Sequence, residues 1–394
     1  MIGKLDRGVE VVVTGIGMIS ALGNLCQSWN HLISSKCGIR LYQPFPELSP
    51  RPLGLIKNKP AQLTALTRKV VAEALQDANL KPPLPEIGVV IGSSRSYQGQ
   101  WEQLARQYWQ EKSIQGKNAS NSPFPLLSDW LQTLPNMAAI IAARLVGTAG
   151  PVLAPMAACA TGIWAIAQGF ELIRARQCDR VVAGAVEAPI TPLTLAGFAK
   201  MGVLAKTGAY PFDQHREGLV LGEGGAVFVL EEASLARRRG ARVYGRILGF
   251  GLTNDACYAT SPNLQEESAL AAVKHCCQRS GISLSKVDYI HAHGTSTQLN
   301  DECEAQLIQR LFPAGVPVSS TKGATGHTLG ASGALGVAFC LMALQHQVLP
   351  PCVGLREPAF ALDFVREARQ FLVEKVLCLS FGFGGQNASI ALGR

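Results

Sequence analysis

Charged residues are scarce in this chain. Asp, Glu, Lys and Arg make up only 16% of its 394 residues, whereas hydrophobic residues make up 47%. A disordered chain needs the opposite balance, because it buries too little apolar surface to offset the conformational entropy lost on ordering. The composition therefore excludes disorder and predicts a large buried core. Because the length exceeds that of a typical single domain, two fused halves are expected.

Paired cysteines are missing as well. The eleven cysteines are scattered and odd in number, and no two of them have the spacing of a C-x-x-C motif. This pattern argues against a disulfide scaffold, in which an even number of cysteines recurs at short spacings. Most of these cysteines are expected to be buried, reduced thiols.

Targeting and membrane segments are not evident either. Residues 1–8 carry Lys4, Asp6 and Arg7, and no apolar run long enough for a signal peptide follows them. No stretch of about 18 uncharged apolar residues, the length of a membrane-spanning helix, is apparent. The sequence therefore predicts a soluble cytoplasmic protein with no membrane partner.

Basic residues exceed acidic ones and give a net charge of +8. Such an excess is compatible with an acidic protein, a nucleic acid or an anionic membrane as partner. The densest basic run has no interleaved aromatic residues of the RNA-binding kind, and it is formed by Arg237, Arg238, Arg239 and Arg242. No nucleic-acid partner is therefore predicted.

Two glycine-rich segments resemble nucleotide-binding motifs but are incomplete. In segment 14–20, Ser20 occupies the third glycine position of a dinucleotide fingerprint, and no acidic residue follows about 20 residues later. Segment 319–330 contains Lys322 but lacks the residue order of a P-loop. No nucleotide and no other cofactor is predicted.

Short β-branched apolar runs alternate with helical patterns along the chain, which favours an α/β fold with mixed sheets. The predicted strands cover residues 11–15, 88–92, 180–183, 226–230, 243–250, 287–291, 316–319, 376–381 and 388–392. Residues 95–135 show little periodicity and are predicted to form an irregular insertion. A charged run near Gly240 divides the chain into predicted halves 1–240 and 241–394.

Cys159 stands immediately before an amphipathic helix, on which Ile163, Ile166, Phe170 and Ile173 form one apolar stripe. A thiol at the start of a helix meets the positive end of the helix dipole and free backbone N–H groups. We therefore expect a lowered thiol pKa and a nucleophilic cysteine. A small buried cysteine in a strand–helix turn is the alternative.

His291 and His293 leave a predicted strand together and are followed by Asp301 and Glu304. Histidine can donate a hydrogen bond or transfer a proton near neutral pH, so this cluster is a candidate for acid–base chemistry. The two histidines share a strand face, but no third and fourth zinc ligand appears at recognisable spacing. No metal is predicted, and His291 is interpreted as a core histidine.

Two more clusters complete the candidate site. Lys322 and His327 stand five residues apart in a glycine-rich loop before a helix of small residues, and a solvated turn is the alternative for that loop. Phe381 and Phe383 flank glycines after an apolar strand. There, backbone N–H groups can approach a substrate oxygen while the phenyl rings line a pocket, and a plain β-turn is the alternative.

Taken in order, these clusters resemble those of the β-ketoacyl-[acyl carrier protein] synthases of fatty acid synthesis and the ketosynthases of polyketide assembly. Further motifs of that family are Val12-Val13-Thr14-Gly15-Ile16-Gly17, Pro211-Phe212-Asp213 and Gly222-Glu223-Gly224. Several motifs in one order over nearly the whole chain are far more specific than any one of them.

The resemblance implies a thiolase-like, duplicated five-layer α-β-α-β-α fold with mixed sheets, and a homodimer. It also implies a decarboxylative condensation of the elongation type. An acyl carrier protein delivers an acyl thioester to Cys159, a malonyl thioester on the carrier follows, and 3-oxoacyl-carrier is the product. The half 1–240 then carries the nucleophile, and the half 241–394 carries the two histidines.

The family also implies a role for each matching residue. His293 and His327 polarise the malonyl thioester carbonyl and assist loss of carbon dioxide, and the N–H groups of Cys159 and Phe383 form the oxyanion hole. The electrostatic surroundings of the histidines come from Lys322, Glu304 and Asp301. The acyl pocket is expected to be lined by Phe381, Phe383 and Trp101, where Trp101 replaces a smaller residue of the family.

Three alternatives remain at this stage. A non-condensing chain-length factor has the same fold but usually lacks the active cysteine. A thiolase uses a second cysteine near the C-terminus, which the segment 381–383 does not contain. A binding protein on the same scaffold would hold the acyl carrier protein and leave Cys159 unmodified.

Overall fold

The structure is a computed structural model that describes residues 9–115, 130–256 and 267–394. Residues 1–8, on which the expectation about a signal peptide depends, and residues 116–129 of the predicted insertion lie outside the described residues. The ten cysteines in the described ranges are free thiols, and all but Cys26 and Cys37 are buried.

The described helices alternate with strands along the chain. The helices are α1 Leu25–Ile33, α2 Leu63–Asp77, α3 Gln98–Gln115, α4 Met137–Val146, α5 Thr161–Arg174, α6 Pro192–Lys200, α7 Ala233–Arg238, α8 Glu267–Ser280, α9 Gln298–Leu311, α10 Lys322–Thr325 and α11 Ser332–His346. Short 3₁₀ turns cover Leu284–Lys286 and Leu329–Ala331.

All nine predicted strands are present, with small shifts at their ends. The strands are β1 Val11–Ser20, β2 Gly23–Asn24, β3 Arg40–Tyr42, β4 Arg51–Leu53, β5 Gly88–Gly92, β6 Val152–Leu153, β7 Arg180–Glu187, β8 Gly224–Glu232, β9 Gly245–Asn254, β10 Tyr289–His291, β11 Pro317–Ser319, β12 Val348–Leu349, β13 Asp363–Phe364, β14 Arg369–Gln370, β15 Lys375–Gly382 and β16 Gln386–Gly393.

The main sheet repeats one pairing pattern on its two sides. In the first half, β1, β8 and β7 are antiparallel neighbours, and β7, β5 and β6 continue in parallel. In the second half, β9, β16 and β15 are antiparallel, and β15, β10 and β11 continue in parallel. Because β1 also pairs with β9, the two halves form one continuous sheet, and the division at residue 240 stays a prediction.

Alternate residues of a strand pack against different helices, because successive side chains point to opposite faces of a sheet. In β7, Val181 and Ala183 belong to the cluster that contains residues of α5 and α11, whereas Val182 packs with α2 and α4. In β15, Val376 faces the first cluster and Leu377 faces α8 and α9. Helices α5 and α11 therefore form a middle layer between the two halves of the sheet, and the five-layer expectation is confirmed.

The middle layer contains the helix of small residues that the sequence predicted after His327. Leu329–His346 has the length and the mean hydropathy, 1.4, of a membrane-spanning helix, but 89% of it is buried inside the protein. Its small residues allow close packing, since a Cβ at Gly333 would lie 2.9 Å from a side-chain atom of Ile163 on α5. The segment is apolar because protein surrounds it on all sides.

The predicted irregular insertion is wrong for residues 98–115, which form α3. This helix shows little amphipathic periodicity, because much of its surface is exposed. Its Gln, Glu, Arg and Ala residues are intrinsically good helix formers, and this propensity is the signal that the periodicity argument missed.

Candidate active site

A cavity of about 500 Å³ lies where the two halves of the sheet and the middle layer meet. Cys159 lines it from the first half of the chain, and His293, His327, Phe381 and Phe383 line it from the second. These residues belong to four separate sequence clusters, and the fold brings the four clusters together at this cavity.

A strained turn presents Cys159 to the cavity. The preceding residue, Ala158, has a φ of +45°, a left-handed conformation that a residue with a side chain adopts at a cost of about 1–3 kcal/mol. The Thr161 hydroxyl holds this turn, because it donates to the Ala158 carbonyl at 2.6 Å and accepts from the Ala157 N–H at 2.9 Å. Ser380 donates to the Cys159 carbonyl at 2.9 Å and ties the turn to β15.

The thiol of Cys159 does not have the lowered pKa that its position before α5 predicted. Burial raises the pKa of Cys159 to about 11, although the positive charge of Lys322 and the N–H of Phe383 act in the opposite direction. A helix N-terminus stabilises an anion by at most about 2 kcal/mol, which does not outweigh the removal of water from a thiolate. The resting cysteine is therefore protonated.

Alkylation of Cys159 tests this protonation state. Because only the thiolate reacts, we expect the rate with iodoacetamide to rise about tenfold per pH unit between about pH 7 and 10. The rate is measured by peptide mass spectrometry, so that exposed Cys26 and Cys37 serve as internal references in the same sample. A plateau already reached near neutral pH would show that the thiolate is the resting form.

His293 and His327 approach each other and the thiol closely. Their ring centroids are 5.3 Å apart at an interplanar angle of 83°. One ligand atom from each ring and the Sγ of Cys159 all lie within 4.8 Å of one another. A single bound carbon centre can therefore meet all three groups.

Both imidazoles are neutral near pH 7. Burial lowers the pKa of each ring well below 6.5, and the nearby charge of Lys322 lowers it further. The Leu329 N–H donates to Nδ1 of His327 at 3.2 Å, so the proton of this neutral ring is on Nε2. Nδ1 of His293 is buried and has no hydrogen-bond partner among the described residues.

The backbone of His327 is held by the first half of the chain. Its N–H donates to the Val220 carbonyl at 2.7 Å, and its carbonyl accepts from the Gly222 N–H at 3.0 Å. A Cβ at Gly222 would lie 2.5 Å from the Thr325 carbonyl oxygen, so only glycine permits this approach. This contact gives a physical reason for the Gly222-Glu223-Gly224 motif.

Lys322 and Glu304 hold the backbone of His293. The Lys322 ammonium group donates to the His293 carbonyl, and the Glu304 carboxylate accepts from the N–H groups of His293 and Gly294 at 2.6 and 2.7 Å. Burial lowers the pKa of Lys322 and raises the pKa of Glu304, and the opposite charge of each partner counteracts both shifts. Both carboxylate oxygens accept from N–H groups, as an ionised carboxylate does.

Asp301 acts one step further from the rings. Its carboxylate accepts from the N–H of Phe212 at 2.8 Å and from the N–H of Ser296, and Arg216 approaches it at 3.9 Å. Phe212 and Ser296 both have positive φ values, 64° and 69°. Asp301 therefore holds two strained backbone positions, Ser296 in the loop that follows His293 and Phe212 in the segment before β8.

Comparison with known proteins identifies the family. Residues 56–236 match the model of the beta-ketoacyl synthase N-terminal domain, and residues 244–356 match that of the C-terminal domain. The chain belongs to the beta-ketoacyl synthase family. It is an acyl-transferring, condensing enzyme, as the ordered motifs had indicated.

Curated relatives of this family cover almost the whole chain. The 3-oxoacyl-[acyl-carrier-protein] synthase 2 of Coxiella burnetii is 32% identical over an aligned length of 420 residues, gaps included, and the match covers 98% of each protein. The ketoacyl synthase alpha subunit of the tetracenomycin polyketide synthase of Streptomyces glaucescens is 34% identical and covers 98% of this chain and 97% of its own. The relatives therefore include both a 3-oxoacyl-[acyl-carrier-protein] synthase and a subunit of a polyketide synthase.

Solved structures of the family confirm the thiolase-like fold. One similar chain, with a TM-score of 0.90 at 27% identity, belongs to the AntDE:AntF complex. That complex contains a type II polyketide synthase acyl carrier protein and its ketosynthase bound to the hexaketide. The similar chain covers 98% of this chain and 99% of its own. A beta-ketoacyl synthase from Burkholderia phymatum has a TM-score of 0.86 at 26% identity, with the same coverage.

Two of the three residues expected to line an acyl pocket, Phe381 and Phe383, line the cavity. Phe381 packs edge-on against His293 with ring centroids 6.0 Å apart, and Phe383 stacks on Phe198 at 6.0 Å. Trp101 does not line the cavity: it lies on α3, is 40% exposed and donates to the Thr133 carbonyl at 3.1 Å. The family resemblance indicates the position of Trp101 in the chain but not the direction in which its side chain points.

His291 is buried and hydrogen-bonded within the core. His291 contacts the Thr321 hydroxyl at 3.1 Å and the Cys378 sulfur at 3.8 Å, as the interpretation of a core histidine predicted. The residues that could hold a metal ion are instead Cys159, His293 and His327. Tetrahedral zinc ligands lie only about 3.3–3.8 Å apart, and the buried Lys322 cation would repel a divalent ion. The donor set therefore fits hydrogen bonding to an oxyanion better than metal binding.

Sequence reasoning missed two residues next to the site. Phe198 lines the cavity beside Phe383, but a single phenylalanine in an apolar helix carries no signal of its own. Glu187 is fully buried close to the start of the helical segment that follows His327. A carboxylate that ends the otherwise apolar strand β7 was the signal that could have found it.

Proposed function

We propose that this enzyme condenses an acyl group held on Cys159 with a malonyl group delivered by an acyl carrier protein, and releases 3-oxoacyl-carrier. One observation supports this proposal above all others: a thiol and two neutral imidazoles converge within 4.8 Å at one buried cavity. This set of groups suits a thioester carbonyl that first becomes a tetrahedral oxyanion and later an enolate.

The first step is acyl transfer. The Cys159 sulfur attacks the acyl thioester carbonyl, the bond from that carbon to the carrier sulfur breaks, and the carrier thiol takes the proton that Cys159 loses. Negative charge develops on the carbonyl oxygen, and the N–H groups of Cys159 and Phe383 are placed to stabilise it. The close approach of these two segments needs Gly382, where a Cβ would lie 2.9 Å from the Cys159 nitrogen.

The second step is decarboxylation and condensation. The malonyl thioester carbonyl accepts hydrogen bonds from the Nε2–H of His327 and from the His293 ring, and the bond to its carboxylate breaks as carbon dioxide leaves. The resulting enolate carbon attacks the acyl carbonyl on Cys159. The carbon–sulfur bond to Cys159 then breaks, and the thiolate regains a proton from water.

Lys322 and Glu304 support the second step through the backbone of His293. They hold its carbonyl and its N–H, so the ring is fixed before substrate arrives and does not need to reorganise during the reaction. Burial and, to a smaller extent, the charge of Lys322 lower the pKa of both rings, so each neutral ring has one N–H donor. Asp301 maintains the following loop.

The partner in this proposal is an acyl carrier protein bearing acyl and malonyl thioesters. Related ketosynthases have been solved with such a carrier and with a chain length factor. Four exposed basic residues at and before α2 are candidate contacts for an acidic carrier, namely Lys57, Lys59, Arg68 and Lys69. Since these charges are exposed, high salt should weaken carrier binding.

A homodimer is also part of the proposal. The edge strand β6 ends the described sheet, and the exposed side chains of Leu153 and Met156 lie beside it at 38% and 57% exposure. An exposed strand edge with apolar neighbours favours pairing with a second copy. Light scattering during size-exclusion chromatography measures this state. A cytoplasmic location stays a prediction.

Incubation with acyl-carrier and malonyl-carrier thioesters tests the function. We expect intact-protein mass spectrometry to show the acyl group on Cys159 and liquid chromatography to show 3-oxoacyl-carrier together with carbon dioxide. A panel of acyl chain lengths in the same experiment defines the substrate preference. A protein that binds the carrier but leaves Cys159 unmodified with every thioester would be the non-condensing or chain-length-factor-like alternative.

A further inference from the structure

Glu187 forms the most extensive buried hydrogen-bond set near the active site. It ends β7, is fully buried, and accepts hydrogen bonds from two neighbouring segments. The donors are the Ser93 hydroxyl at 2.8 Å, the Ser94 N–H at 2.8 Å, the Ser94 hydroxyl at 2.6 Å, the Arg95 N–H at 3.0 Å and the Gly330 N–H at 3.1 Å. A buried carboxylate with so many donors is costly to form and is held rigidly.

The contact with Gly330 requires a very close approach. A Cβ at Gly330 would lie 2.5 Å from the Glu187 carboxylate and 2.8 Å from the Ser94 nitrogen. The Ser94 hydroxyl also contacts the Gly330 N–H, at 3.1 Å. The start of the segment 329–346 is therefore fixed to the end of β5 and the end of β7 at one point.

The residue before Gly330 connects this point to the active site. Leu329 is held at a φ of +44°, a conformation that a leucine does not adopt without support. In that conformation its N–H donates to Nδ1 of His327 at 3.2 Å. This bond places the ring proton on Nε2, from which the ring donates to the substrate carbonyl.

We propose that Glu187 is a positioning residue for the condensing reaction, which fixes the tautomer of His327 by anchoring Gly330 and thereby the Leu329 N–H. The proposal rests on the proposed function, in which His327 donates from Nε2. Glu187 is not among the residues that line the cavity.

A purely electrostatic role of Glu187 would appear in a different measurement, the alkylation of Cys159. The negative charge of Glu187 raises the pKa of the Cys159 thiol, so its removal should make alkylation of Cys159 faster or leave it unchanged. Loss of the anchor should instead slow the decarboxylation of the malonyl group. The two partial reactions therefore separate positioning from charge.

The test compares Glu187→Gln with Glu187→Asp. In Glu187→Gln, an amide NH₂ replaces one acceptor oxygen and faces N–H or O–H donors. In Glu187→Asp, the charge remains but the side chain is one methylene too short to reach Gly330. For both variants we expect decarboxylation of malonyl-carrier to fall about 10- to 100-fold, the range found when a group that orients an active-site ligand is lost.

The tautomer of His327 gives a readout that does not depend on activity. In protein labelled with ¹⁵N-histidine, the Nδ1 and Nε2 signals of His327, assigned by comparison with a His327→Gln variant, report which nitrogen carries the proton. We expect one tautomer in the wild type and a mixture in both Glu187 variants. Glu231→Gln is the matched control, because Glu231 is equally buried but binds Arg180 and Arg239. It should change neither the tautomer nor the decarboxylation rate.

Unchanged decarboxylation and an unchanged His327 signal in either Glu187 variant would overturn the proposal. So would an equal loss of decarboxylation in Glu231→Gln, because that loss would be one of general stability. If both Glu187 variants fail to fold, Gly330→Ala serves in their place, because its Cβ pushes the carboxylate and Gly330 apart from the other side. A wild-type protein that does not decarboxylate malonyl-carrier refutes the proposed function, whereas the ¹⁵N signals still test the anchor.

Discussion

The Cys159→Ala variant is expected to lose condensation by about 10⁴-fold or more, because the acyl group then has no sulfur to which it can be transferred. Within the described part of the chain, Cys159 is the cysteine that lines the active-site cavity. The measurement is formation of 3-oxoacyl-carrier, together with the mass of the intact protein after incubation with acyl-carrier. Neither the product nor the acyl adduct should appear.

The partial reactions of this variant sharpen the test. Decarboxylation of malonyl-carrier depends on the histidines and not on the sulfur, so Cys159→Ala should retain measurable release of carbon dioxide. Cys276→Ala is the matched control, because Cys276 is a fully buried free thiol on α8 and does not line the cavity. An acyl adduct that persists in Cys159→Ala would place the nucleophile elsewhere and refute the proposed mechanism.

The His327→Ala variant is expected to decarboxylate malonyl-carrier about 10²–10³ times more slowly, because the enolate oxygen loses one of its two imidazole donors. Acylation of Cys159 should be much less affected, since the proposed oxyanion hole for that step consists of backbone N–H groups. The measurements are release of carbon dioxide from malonyl-carrier and the rate at which the acyl adduct forms.

A second histidine variant shows whether this effect is local. His346 lies at the exposed end of α11, where its ring stacks on Trp29 with centroids 5.4 Å apart, and His346→Ala should decarboxylate at the wild-type rate. The pH dependence adds a further check. Because the pKa of His327 lies well below 6.5, wild-type decarboxylation should not fall as the pH is lowered from 7.5 to 6.5. A fall over that interval would mean that a ring becomes protonated and that its pKa is not depressed.

The strands and the apolar helices could be predicted because local patterns encode them. Val181 to Ala183 and Val376 to Phe381 are runs of apolar and β-branched residues, and a stripe such as Ile163, Ile166, Phe170 and Ile173 records which face of α5 is buried. Helix α3 was not predicted because most of its surface is exposed, so its apolar residues do not form a stripe on one face. Propensity was the remaining signal there, and it is weak for any one residue.

The candidate residues of the site could be named because their motifs occur in a fixed order along the chain. The motifs did not indicate whether the side chains of these residues are charged or neutral. Cys159 stands before a helix as predicted, but its thiol pKa is raised because burial outweighs the helix terminus. The family resemblance implies that Trp101 lines the acyl pocket, but a position along the chain does not specify the direction in which a side chain points.

The sequence by itself determined the α/β class, the strands and the candidate groups Cys159, His293 and His327, because hydrophobic periodicity and motif order are local properties of a chain. Only the tertiary structure decided the protonation of those groups and the residues that hold them, including Glu187, Glu304 and the glycines at close contacts. These properties depend on burial and on distances between segments remote in sequence, such as the 3.1 Å between Glu187 and Gly330. No local pattern records such distances, because each arises only when the two halves of the fold pack together.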